Sequence, residues 1–81
     1  MNPKKKVLGF QVVVYPEDDG FSVVAPELGI ADQGDTEAEA LASLKEGIEL
    51  HLECLSATER KELKKKMSER KFIQLKIQMP A

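Results

Sequence analysis

At Gly34-Asp35-Thr36 the hydrophobic period of the chain changes from two residues to about 3.6. Upstream, apolar residues alternate as side chains do along a strand. Downstream, they recur three and four apart, as on one face of a helix. A chain of 81 residues with such a change has room for a small sheet and one or two helices around a thin core. That predicts an α+β domain spanning residues 1–81.

Residues 7–15 alternate, with Leu8, Phe10, Val12 and Val14 on one face and Gly9, Gln11, Val13 and Tyr15 on the other. Pro16-Glu17-Asp18-Asp19-Gly20 reads as a five-residue turn, since proline fixes φ and glycine tolerates unusual backbone. Residues 21–25 form a second strand and complete a hairpin. Pro26-Glu27-Leu28-Gly29 connects to a short third strand at 30–33.

Thr36 is a good N-cap, and Glu39 three residues on completes a capping-box pattern. Asp35, Glu37 and Glu39 lie near the positive end of the helix dipole. The helix predicted over 37–55 directs Leu41, Leu44, Ile48, Leu52 and Leu55 at the core. A weaker stripe of Ser43, Gly47, Leu50 and Cys54 lies on another side and needs its own cover. Ser56 and Glu59 repeat the capping box, which predicts a second helix over 57–70 carrying Leu63 and Met67. This helix packs back over Leu50 and Cys54 or against another chain. Residues 72–79 alternate again, with Ile73, Leu75, Ile77 and Met79 on one face, and Pro80 ends the run. The predicted order is β-β-β-α-α-β.

The one cysteine, Cys54, excludes an intramolecular disulfide and a cysteine-based zinc cage within one chain. No apolar run approaches the ~20 residues of a membrane-spanning helix. The basic start at Lys4-Lys5-Lys6 leads into an alternating strand, not the apolar block of a signal peptide. A cytoplasmic location is expected. The net charge of −2 hides a division. Residues 7–59 hold twelve acids against the single base Lys45, whereas residues 60–81 hold eight bases against two acids. Such an acidic body suits a basic protein partner better than a phosphate backbone.

Candidate chemistry is sparse. Asp18, Asp19, Asp32 and Asp35 are the acids outside the helices that might converge on a metal, but turn and cap chemistry accounts for Asp18, Asp19 and Asp35. His51 has no nucleophile motif around it and reads as a partly buried packing residue. Cys54 reads as a small apolar helix residue. The basic stretch 60–71 has neither interleaved aromatics nor a helix-turn-helix or zinc-finger spacing, and reads as a solvated face. The sequence therefore calls for no catalytic residue, metal or cofactor, and the chain is expected to bind rather than react.

One further pattern is carried by the order of several short pieces. Residues 16–28 run Pro-Glu-Asp-Asp-Gly-Phe-Ser-Val-Val-Ala-Pro-Glu-Leu, followed by Gly29, Gln33-Gly34-Asp35-Thr36, Glu39-Ala40-Leu41 and Glu46-Gly47-Ile48. Over residues 10–55 this resembles the HicB antitoxin family. The resemblance implies a truncated ribonuclease-H-like fold of three antiparallel strands, a helix and a further strand, without the ribonuclease active site. It also implies a role: HicB proteins cover HicA toxins, small basic ribonucleases. The family's proline between Leu28 and Gly29 is absent here, so that connection is one residue short. Many members also carry a C-terminal DNA-binding domain. The expectation here is a stand-alone domain without one, and no DNA binding.

Three functional readings follow. In the first, an antitoxin-like module meets a HicA-like toxin through Tyr15, Glu17, Asp18 and Asp19. In the second, a toxin-free domain forms a homodimer or higher homo-oligomer through Gly47, Leu50 and Cys54. In the third and weakest, Arg60, Lys64 and Lys65 contact RNA.

Overall fold

The computed structural model describes residues 7–80. Strands β1 (Val13–Glu17), β2 (Gly20–Ala25) and β3 (Ile30–Gly34) form an antiparallel sheet in the order β1-β2-β3. Helices α1 (Glu37–Glu53) and α2 (Ala57–Glu69) follow. The α+β class and the first five elements are those the periodicity predicts.

The register explains which face is buried. Val14 pairs with Val23, Phe21 with Gly34, and Ala25 with Ile30. Because side chains alternate across a strand, Phe21, Val23 and Ala25 share one face of the central strand. Val23 and Ala25 join Ala40, Leu44 and Ile48 of α1 in a buried cluster. Phe10, Val14, Phe21, Leu28, Ile30 and Leu52 pack around it. The opposite face of the sheet carries Val13, Tyr15 and Gln33, all exposed.

The caps form locally. The Thr36 hydroxyl accepts from the Glu39 backbone N–H at 3.1 Å. At α2 the box is reciprocal: Ser56 Oγ accepts from the Glu59 N–H at 3.1 Å, and Glu59 Oε1 accepts from the Ser56 N–H at 2.9 Å. That backbone hydrogen bond, followed by the one to the Ser56 side chain, holds the Glu59 carboxyl below its ordinary range.

Two glycines draw the strand ends against the helix start. A Cβ on Gly34 would stand 2.6 Å from the Ala40 nitrogen. A Cβ on Gly20, whose φ is 150°, would stand 2.4 Å from the Gly34 carbonyl oxygen. Backbone approaches backbone at both places, so only glycine fits without a shift.

Several expectations are corrected. The hairpin loop is two residues, Asp18 and Asp19, rather than five: Pro16 pairs with Phe21 and Glu17 with Gly20. Proline is tolerated there because β1 is an edge strand. Residues 7–12 join no ladder, although Phe10 packs on the core. Helix α1 ends at Glu53, with Cys54 as an exposed C-cap, and His51 is exposed rather than packed. Leu41 lies at the rim rather than inside, while Ala40 is fully buried. The strand predicted over 72–79 is not formed. Those residues pair with no strand and stand in solvent, because alternation is a local property and a ladder is not.

Candidate functional site

The acidic turn sits where three elements meet. The start of β2, the end of β3 and the approach to α1 are held together by Gly20 and Gly34. A cleft of about 650 Å³ opens there, lined by residues 17–22 and 33–35. Glu17, Asp18, Asp19 and Asp35 are all exposed around it. Ser22 Oγ donates to Glu17 Oε1 at 2.8 Å, which fixes that carboxylate along the sheet. Tyr15 lies on the open sheet face, paired across from Ser22. The fold thus brings Tyr15, Glu17, Asp18 and Asp19 into one exposed region with one sign of charge.

Asp32 is not part of it. Asp32 pairs with Val23, and its carboxylate accepts the Gln33 N–H at 2.8 Å. Among the described residues no group of three or more His, Cys, Asp or Glu side chains is placed to hold a metal ion. No helix among them is long and apolar enough to cross a membrane.

The Gly47, Leu50 and Cys54 stripe is left open. Leu50 is 62% exposed, and α2 does not fold back over it. Helix α2 instead approaches the end of α1 beside Leu8 and Leu52. There Arg60 Nε donates to the Leu52 carbonyl at 3.3 Å and Arg60 Nη2 to the Glu53 carbonyl at 3.4 Å. These are carbonyls that a helix end leaves without intrahelical partners. Arg60 is therefore engaged in closing α1, while Lys64 and Lys65 remain exposed.

Sequence reasoning missed Arg70. Its guanidinium donates to Glu27, to the Gly9 carbonyl at 2.9 Å and to Met67 Sδ at 3.5 Å. It also lies 5.0 Å from the centroid of the Phe72 ring, a cation–π distance. Only the opposite charges of Arg70 and Glu27 hint at this in the sequence. Comparison with family models, curated proteins and solved structures finds no match to the chain.

Proposed function

We propose that the chain is a HicB-like binding module that neutralises a small basic HicA-type ribonuclease by occluding its surface. The observation that carries this reading is the exposed cluster of Glu17, Asp18 and Asp19 where β2, β3 and the start of α1 meet. A fixed patch of one sign speeds encounter with an oppositely charged partner and orients it on arrival. The bound module then blocks RNA sterically. No residue of this chain performs a chemical step, and no cofactor is required.

The test is co-purification of the tagged chain with the products of adjoining genes, followed by association kinetics across a salt series. A small basic ribonuclease should bind, more slowly as salt rises, and lose its activity. Asp18→Asn with Asp19→Asn should slow association more than it speeds dissociation. A ribonuclease that remains active with the chain in excess would refute the reading.

A second reading is supported by Leu50, whose exposed side chain lies beside Gly47 and Cys54 on α1. In it the chain is a homodimer through that stripe. Leu50→Glu should then halve the mass seen by light scattering, and an unchanged mass rejects the contact.

A further inference from the structure

We infer that residues 72–79 are an exchanged strand, which pairs beside β1 of a second copy of this chain and fills the groove between α1 and the segment that leads into that β1. Phe72, Ile73, Leu75, Ile77 and Met79 are 61–87% exposed and belong to no element of their own chain. Ile73, Leu75, Ile77 and Met79 alternate with Gln74, Lys76 and Gln78, so one face of the run is apolar and the other polar.

An acceptor of matching form exists. β1 pairs only with β2, so its other edge is unpaired among the described residues. Next to the segment leading into β1 lies a mainly apolar groove of about 300 Å³, lined by Leu8, Phe10 and Val12 on one side and by Leu41, Ile48 and Leu52 of α1 on the other, with Lys45 and Glu49 at its margin. A fourth strand next to β1 would insert its inward side chains there. The arm is long enough for the five residues of β1, Val13–Glu17, and its own run stops at Pro80. Proline ends a ladder by removing a donor.

Three observations favour a second copy over the chain's own groove or a foreign strand. Arg70 pins the root of the arm to Gly9 and Glu27, and Phe72 lies on the side that carries Gln11 and Pro26. The groove opens on the opposite side of this segment, where Phe10 and Val12 point. Charge is self-complementary as well. The single charge of the arm is Lys76. With the apolar side chains inward, Lys76 falls on the sheet face that carries Glu17. Finally, exchange is reciprocal about a two-fold axis, so each chain both donates an arm and offers a groove, and the contact closes at a dimer.

Light scattering of the full chain over a concentration series tests this, together with Leu75→Asp and Ile77→Asp in the arm and Leu41→Asp at the groove rim. The full chain should be dimeric. Each variant should weaken dimerisation by roughly tenfold or more while keeping the parent circular dichroism. Mixing an arm variant with the groove variant should restore a dimer, since that pair retains one intact arm and one intact groove. A full chain that is monomeric at every concentration, arm variants that dimerise as well as the parent, or a mixture that stays monomeric would each overturn the proposal.

Discussion

The guanidinium of Arg70, just past the end of α2, donates to the carboxylate of Glu27 in the turn after β2. It ties the basic C-terminal part of the chain to the acidic body, and both side chains are largely shielded from water. Glu27 Oε1 also accepts the Gln11 N–H at 2.9 Å, so a single carboxylate holds two segments. Arg70→Met should lower unfolding stability by roughly 1–2 kcal/mol, the lower part of the range for hydrogen bonds to charged groups, because some water contact remains. Urea denaturation measures it. Glu27→Gln should cost less, since the amide oxygen still accepts. If Arg70→Met is neutral, the contact does not stabilise the fold.

Gly34→Ala tests the junction under the acidic turn. Its new methyl would meet the Ala40 backbone rather than a flexible side chain. Crowding of this kind costs roughly 1–3 kcal/mol, read as a lower denaturation midpoint. Gly29 sits in the turn between β2 and β3. Its φ is 67°, and a Cβ there meets nothing within 4 Å. Gly29→Ala should therefore show only the smaller penalty of an unfavourable φ. Equal losses at the two glycines would mean that close approach is not what Gly34 provides.

How much of this was legible depends on range. Helix starts are written within four residues, so Thr36 with Glu39 and Ser56 with Glu59 marked both helices. The β-forming residues over 21–25 marked the second strand, while the burial of Val23 came with its packing on α1. Ala40 was missed because a small residue adds little to a hydrophobic stripe, although the close approach of Gly34 makes it fully buried. Pro16 and Gly20 have the character of loop residues, which lengthens the hairpin loop expected from sequence, whereas an edge strand accepts the one and the strand start needs the other. Pairing between distant segments left no local mark. The Arg70–Glu27 link spans 43 positions, and the run over 72–79 has a strand's pattern without a strand's partner. Of the site, the acidic turn was visible as composition. Its union with Asp35 required the fold.

Leu44 and Val23 are the largest fully buried side chains, and they belong to α1 and the central strand. Leu44→Ala removes packing that a thin core cannot replace and should cost roughly 2–5 kcal/mol. Leu50, six residues along the same helix and on an exposed face, should lose no more than about 0.5 kcal/mol on change to alanine. Thermal melts of the pair separate core from surface on one helix. A large loss at Leu50 would show that it is covered in solution.

The capping box of α2 should make that helix sensitive to acid. The Glu59 carboxylate accepts the Ser56 N–H, and its pKa is held below the ordinary range by that bond and by the Ser56 side chain. A folded-state pKa below the unfolded one means the unfolded chain takes up the proton first as pH falls. The stabilisation is therefore complete above the ordinary carboxylate range and is lost as pH drops through the lowered value. Helicity from far-ultraviolet circular dichroism should decline over that acid window. Glu59→Gln, whose amide oxygen accepts the same bond without titrating, should flatten this part of the decline. Ser56→Ala should lower helix stability by about 1 kcal/mol at neutral pH through loss of the N-cap. If Glu59→Gln leaves the acid profile unchanged, other carboxylates govern it and the box contributes nothing to the pH response.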